Sequence, residues 1–521
     1  MRGANDAALP GGTGRIVDWG IAKAERSAVG LRVARRDLIL PRVAVGYFLI
    51  LKLVYALFVP PNIDEAYYWL WGAHLQWSYL DHAPLVGWAA GAAALLLGWT
   101  PIAVHLPALL SFGVLVYGLG RSARWLAPED PERYFWVGLA LFCASPLLNA
   151  LTTLNYPDHL LICFSALAML QLGKFLGALR EGGEGRLRDL YLGALFMGLA
   201  GLSKYNAVFI ALGLVVVIVG QPAFRRLLRS PHLYLAALLT LAITLPVVWW
   251  NAQHHFVSVG FHTAERFNAS GSHFALDGVT SVLTASLFYV SPFLAWGLLR
   301  FLFGRVLAGP QGAYQLLGRW TALLSSVGML ALASWSAAAD QVKPHWLVLS
   351  FLPFVIVAPL FVRSRWAIRL HLAWGMLLMT VAALYYLAAP LPTQWLGIHD
   401  REAVETFGQE QAAAAARAAA AQHGAELIAS NTYGNAAKLA FGLGTDSNVI
   451  DLSGRPGQLR LWREGLSDAG KDVVIVAPSG TSPDTFAAHF SSVEDLGPVE
   501  TKRFGQRLTS YQLLLGRELK P

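Results

Sequence analysis

Charge and cysteine are both scarce in this chain. Only 14% of its 521 residues are Asp, Glu, Lys or Arg, against 55% hydrophobic, and the mean hydropathy is +0.47. A soluble protein carries about a quarter charged residues, so a soluble globular fold of this length is excluded. The two cysteines, Cys143 and Cys163, lie inside apolar segments with no CxxC spacing. That excludes a disulfide framework and a thiolate metal site, and leaves buried, inert thiols. No HExxH pattern and no solenoid period is visible. The first forty residues lack the short apolar core and small-residue cleavage site of a removable signal peptide. They read as a cytoplasmic tail, with Arg32, Arg35, Arg36 and Arg42 at the membrane surface.

What is present is a series of apolar runs, near residues 43–60, 84–98, 102–120, 134–151, 159–179, 190–203, 205–220, 233–250, 280–303, 320–337, 346–362 and 370–389. Runs close to twenty residues are membrane spans. The formal net charge of +8 does not point to nucleic acid, because the arginines fall in short clusters between runs. These are Arg121/Arg124, Arg180/Arg186/Arg188, Arg225/Arg226/Arg229, Arg305/Arg319 and Arg363/Arg365/Arg369. The positive-inside rule places all of them on the cytoplasmic side, so the number of spans between consecutive clusters is even. Between Arg36 and Arg121 there are three candidate runs; the shortest, 84–98, begins at Pro84, is weakly apolar, and is expected to lie in the interface. About eleven spans remain, and the C-terminus falls outside.

The same parity puts nearly every polar motif on the outer side: the 61–83 loop, "TLNYPDH" at 153–159, "SKYN" at 203–206, the 251–277 loop and "DQVKPHW" at 340–346. Beyond residue 390 the composition changes. "DREAVETFGQEQAAAAARAAAAQHG" reads as an Ala-rich helix, and "AELIAS", "NVIDL", "KDVVIVAP" and "RLTSYQLLLGREL" read as strands between turn residues. The expected organisation is a tail (1–40), a polytopic α-helical transmembrane domain (41–390) and a small outer α/β domain (391–521).

Several polar groups stand out. Asp64-Glu65 opens a segment holding Tyr67, Tyr68, Trp69, Trp71, Trp77 and Tyr79. Either carboxylate can serve as an acidic helix cap; beside such rings, which form an interfacial belt or a sugar platform, a carboxylate also suits general-base work on a hydroxyl. Asp81-His82-Ala83-Pro84 reads as a turn with a cap or as a ligand site at the membrane surface. Asp158-His159, after Asn155-Tyr156-Pro157, reads as a cap or as a second acid. His254, His255 and His262 cluster without defining a metal site, and Arg266 beside them suits a phosphate clamp. Lys204 and Lys343, flanked by spans, either snorkel or meet an anion.

The motifs "DEAYYWLW", "YLDHAPLVGW", "NYPDH", "GLSKYNA", "WWNAQHHFVS" and "VKPHW", in this order over roughly residues 40–350, resemble the bacterial branch of the GT-C glycosyltransferases. That superfamily contains the protein O-mannosyltransferases and the lipid A aminoarabinose transferase. The resemblance implies a GT-C fold with interfacial helices in the first outer loop, in the bacterial inner membrane, with the active site and C-terminal domain facing the periplasm. It implies inverting transfer of a sugar from a polyprenyl-phosphate donor to lipid A, lipopolysaccharide core, another envelope glycan or a protein. Asp64 matches the family's catalytic aspartate, Glu65 its neighbour and Asp158 the second acidic position. His82 stands where the aminoarabinose branch has Lys, and Ala83 replaces a Pro, so no lysine contact is carried over there. Lys204, Arg266 and Lys343 then hold the lipid phosphate, with His345 and Trp346 nearby and Tyr67, Tyr68, Asp81, His82, Tyr156, Tyr205 and His255 completing the substrate site. No cofactor is assigned, and a divalent metal is left open. The alternative class is a transporter or flippase of polyprenyl-linked sugars, which would carry ionisable groups at the membrane midplane.

Overall fold

The structure is a computed structural model that describes residues 38–262, 276–335, 343–389, 391, 406–454, 457–463 and 465–521. Seven of the described helices are long and apolar enough to cross a membrane: Ile39–Phe58, Pro101–Leu126, Pro157–Arg180, Pro231–Gln253, Gln311–Ser334, Pro344–Phe361 and Arg365–Ala388. Two bent pairs, Tyr205–Gly220 with Pro222–Arg229 and Gly278–Val290 with Pro292–Phe303, raise this to nine if each is one span. The broken helix Pro131–Ala144 and Pro146–Leu151, and the helix Leu187–Ser203, run alongside them. Pro157–Arg180 is the central post, 83% buried, whereas Arg365–Ala388 is only 17% buried and turns its apolar side chains outward. A bundle with exposed apolar faces of that length belongs in lipid.

The helix Leu85–Leu97 has 13 residues, which at about 1.5 Å per residue is too short for a bilayer core of about 30 Å. It packs instead on the helix Ile63–Ala73, where a Cβ at Gly72 would lie 2.5 Å from the Gly91 backbone nitrogen. Two glycines thus let the helices touch backbone to backbone, and Leu95 and Leu96 are left 88% and 76% exposed. The two helices form a layer between the first span and the helix Pro101–Leu126.

The two ends of the bundle differ. At one end sit arginine-bearing connectors: Arg42 pairs with Glu132, Gln311 Nε2 donates to Trp125 O (3.1 Å), and Arg226 Nη2 donates to Gly183 O (2.9 Å). At the other end the 61–83, 155–158, 204–206, 258–262 and 343–346 segments meet. The polar motifs are therefore gathered at the end away from the arginines, the arrangement that charge parity predicts.

The C-terminal region builds a five-stranded sheet in the order β2-β1-β3-β5-β4, from β1 (Leu427–Ser430), β2 (Val449–Asp451), β3 (Val473–Pro478), β4 (Phe490–Arg503) and β5 (Gln506–Leu519). β1 pairs parallel with β2 and β3, while β5 runs antiparallel to β3 and β4. The β4–β5 hairpin turns at Phe504 and Gly505, both at positive φ (52° and 72°), as the right-handed strand twist favours. The strands expected from sequence are present. β4 is an additional one: its Glu, Asp, Gly and Pro disguise an edge strand, and such residues protect edges from pairing. The Ala-rich helix runs from Gln409 to His423, and a helix that the β-rich reading passed over spans Tyr433–Leu443.

Candidate functional site

The chain leaves the first span at Phe58 and re-enters a helix at Ile63. Asn62 caps that helix: its Oδ1 accepts from the amides of Asp64 (3.0 Å) and Glu65 (3.1 Å), and Glu65 Oε2 accepts from Asn62 N (3.1 Å). This reciprocal capping box fixes the two adjacent acids in opposite roles. Glu65 is fully buried. Its second oxygen accepts from Asn155 N (2.9 Å) and lies 3.2 Å from His105 Nε2. It ties the acidic helix to the "NYPDH" turn. Asp64, one residue earlier, is half-buried and faces a cavity.

That cavity has a volume of about 460 Å³. Toward the membrane it is walled by Leu51, Ala150, Leu154, Met379, Ala382 and Ala383, and toward the sheet domain by Asn62, Asp64, Thr406, Tyr433 and Lys438. Tyr55 of the first span and Tyr386 of the last, with rings 6.2 Å apart, lie between. Lys52 also lines it, at 2% exposure. Its Nζ donates to Asn149 O (2.7 Å), Thr152 Oγ1 (2.8 Å) and Thr153 Oγ1 (2.8 Å), which uses all three ammonium protons. Tyr156 OH donates to Asn62 Oδ1 (3.2 Å), so this phenol belongs to the same wall.

Beside the cavity lies a buried aromatic layer. Tyr68 has Tyr156 at 6.2 Å and His82 at 6.1 Å between ring centroids. Burial pushes its phenol well above the usual range, and the charges of Asp64, Asp81 and Asp158 push it the same way. Tyr67 donates to Asp81 and accepts from Gln458 N (3.3 Å); burial and then Asp81 push it up as well. Both phenols therefore remain proton donors at neutral pH. His262 Nε2 donates to Asp81 O (2.9 Å), with Tyr205 at 5.8 Å from its ring.

Asp158 and Lys204 form a closed pair. Both carboxylate oxygens lie 2.9 Å from the ammonium, and the residues are 1% and 4% exposed. The turn after Lys204 carries Asn206, whose Nδ2 donates to Trp346 O (3.0 Å), and this brings the Lys343–Trp346 segment to the same end. Lys343 is exposed there, and His345 is half-buried. His255 is exposed at φ 52°, in a turn where His254 stacks on Trp250 at 4.0 Å. Arg266 lies outside the described residues. Among the described residues no three of His, Cys, Asp and Glu gather to hold a metal ion.

The residues that sequence reasoning missed are Lys52, Tyr55, Tyr386, Tyr433 and Lys438. Tyr433 OH donates to Asp64 Oδ1 (3.5 Å), and its ring lies 4.9 Å from Tyr67. The helix bearing it crosses the acidic helix so closely that a Cβ at Gly434 would lie 2.0 Å from Ile63 Cγ2. A signal for this helix exists in the sequence. Thr432 Oγ1 accepts from Asn435 N (3.2 Å), and Gly444 ends the helix at φ 71°, the usual pairing of a Thr cap with a terminal glycine.

Comparison with known proteins places these observations in context. Residues 81–250 match the family described as dolichyl-phosphate-mannose-protein mannosyltransferase. The lipid A galacturonosyltransferase RgtD of Rhizobium johnstonii is 24% identical over 388 residues, covering 73% of this chain and 77% of that protein. The crystal structure of ArnT from Cupriavidus metallidurans in the apo state superposes on 94% of this chain and 98% of its own, with a TM-score of 0.57 and 16% identity. The same protein bound to undecaprenyl phosphate superposes on 91% and 97%, with a TM-score of 0.57 and 17% identity. At such identities the structural likeness is one of fold.

Proposed function

We propose that this chain, a membrane glycosyltransferase of the GT-C superfamily, moves a sugar from a polyprenyl phosphate to lipid A or a related envelope glycolipid at the periplasmic face of the bacterial inner membrane. The observation that carries the reading is Asp64 at the polar end of a cavity whose other end is apolar and formed by the first and last spans. An isoprenoid would occupy the membrane end while its phosphate and sugar reach the acid. The ArnT structure with undecaprenyl phosphate supports the donor class, and the lipid A galacturonosyltransferase supports the acceptor class.

In the reaction, the acceptor hydroxyl oxygen attacks the anomeric carbon, and the bond from that carbon to the donor phosphate oxygen breaks. The electron pair leaves with polyprenyl phosphate, and the hydroxyl proton passes to Asp64. A single displacement inverts the anomeric centre. Base catalysis of this kind contributes about 10²- to 10⁴-fold in rate. The charge growing on the departing phosphate calls for preorganised cations, and Lys343, in the segment that Asn206 ties to the same end of the bundle through Trp346, together with Arg266, is the assignment. Lys204, committed to Asp158, holds that carboxylate rather than an incoming anion, and Glu65 acts as a positioning residue. The rings of Tyr156 and Tyr433 at the polar end offer faces for a pyranose.

The test is turnover by purified protein supplied with an undecaprenyl-phosphate sugar and lipid A. The expected result is lipid A heavier by one sugar, with one undecaprenyl phosphate released per transfer. Folded protein that releases no lipid phosphate in the presence of acceptor contradicts the reading.

A further inference from the structure

The β4–β5 hairpin reaches down to the ends of two spans. Leu508, on its second strand, packs in one cluster with Val59, which follows the first span, and Ala389, which follows the last. Arg503 Nη1 donates to Ala389 O (2.9 Å) and Tyr386 O (3.4 Å), carbonyls at the C-terminal end of the last span. These contacts set the height of the turn that follows. Phe504 therefore sits level with the close of a span whose Val381 and Leu384 are turned outward, at the edge of the apolar belt. Its ring is 61% exposed, and its φ of 52° is one that Asn and Gly accept in hairpin turns and a bulky side chain resists. The Arg503 guanidinium lies 4.5 Å from the ring centre and 3.6 Å from that of Phe407. Lys502 and Arg507 face each other across the ladder beside it, both exposed, with Glu500 oxygens at 3.8 and 3.5 Å.

We infer that this hairpin tip is a membrane anchor: the Phe504 ring enters the lipid interface at the Asp64 end of the bundle, and Lys502 meets the phosphates of the phospholipid headgroups there. Aromatic rings settle at headgroup level, where an apolar face and a wet edge are both satisfied, and a long ammonium side chain reaches the phosphates from the same depth. An exposed ring held in a conformation that the turn itself does not favour has no such partner in water. The tip stands beside the ends of the first and last spans, the two that line the cavity through Tyr55 and Tyr386. The bilayer itself then holds the sheet domain against the bundle at that edge. The anchor is independent of which reaction the cavity carries.

Cys143 and Cys163 are buried, so a thiol-reactive, polarity-sensitive fluorophore can be attached at one chosen site of the full chain. It is placed on Gln506→Cys, exposed next to the tip with Phe504 intact, and for reference on Ser492→Cys, exposed at the far end of the same hairpin, roughly 35 Å away along the strands. Each protein is reconstituted in vesicles of phosphatidylethanolamine and phosphatidylglycerol that carry a nitroxide-headgroup phospholipid. The label on Gln506→Cys is expected to emit at shorter wavelength than the reference and to lose emission to the nitroxide, while the label on Ser492→Cys keeps its emission. Adding Phe504→Asp is expected to return the tip label to the reference behaviour, and adding Lys502→Gln to weaken the quenching less. A tip label that emits and quenches like the reference overturns the inference without any change at Phe504. Quenching that Phe504→Asp leaves unchanged, in a protein that melts like its parent, overturns it as well, because the ring would then have no part in the contact.

Discussion

Asp64 and Asp158 both stand in the first turn of a helix that begins at the polar end of the bundle, and both follow proline-bearing turns. Their surroundings differ. Asp158 gives both oxygens to Lys204 and is shut away from solvent, while Asp64 is half-buried and faces a cavity with apolar and polar ends. The same contrast separates Asp64 from its neighbour Glu65, whose two oxygens hold two backbone amides. In the function proposed above, Asp158 and Glu65 maintain geometry and Asp64, which faces the cavity, does the chemistry.

This comparison can be broken most decisively at the closed pair. Lys204→Met leaves Asp158 buried without its cation and is expected to cost about 3–5 kcal/mol, read as a large fall in thermal unfolding temperature in detergent. The double variant Asp158→Asn, Lys204→Met is expected to recover much of it. A Lys204→Met protein that melts like wild type but loses only donor use would move Lys204 into the donor site and erase the contrast. Next in size is Glu65→Ala, which strips half of the capping box and leaves Asn155 N without its acceptor. About 2–4 kcal/mol is expected from the two losses together, with melting temperature and turnover falling together. Turnover lost at unchanged stability would make Glu65 a reacting group after all.

The smallest effect lies in the sheet domain. The Arg463 guanidinium, with Lys471 beside it, holds the Asp468 carboxyl down to about 2 from its ordinary 3.8. A depressed carboxylate stabilises the fold above its unfolded value and loses that contribution as pH falls from about 4 through about 2. At a solvent-screened site the effect is expected to stay below about 1 kcal/mol. Arg463→Ala should flatten this acid limb of the stability curve without touching transfer at neutral pH. An unchanged acid limb would remove the ion pair from the account.

Much of the site was legible because membrane insertion imposes a strong rule on arginine. Parity alone assigned the loops holding Asp64, Asp81, Asp158, Lys204 and Lys343 to one side, and the hydrogen bonds join those loops at one end. What the sequence hid was pairing. Nothing in "GLSKYNA" says that Lys204 is spent on Asp158, and nothing in "YFLILKLVYALF" says that Lys52 finds three oxygens more than ninety residues along the chain. Such contacts are fixed by tertiary packing, which leaves no periodic trace. Tyr433 and Lys438 escaped for a related reason: their helix was hidden in a stretch read for β-branched runs, and its meeting with Ile63 depends on a single glycine.

The division of labour between the acids is tested most directly by Asp64→Asn. Asparagine keeps the size of the side chain and removes the basic oxygen, so the purified variant is expected to melt within about 1 kcal/mol of wild type while release of undecaprenyl phosphate to lipid A falls by about 10²-fold or more. Turnover at the wild-type rate from a folded Asp64→Asn protein would contradict the assignment of this cavity as the place where the sugar changes hands.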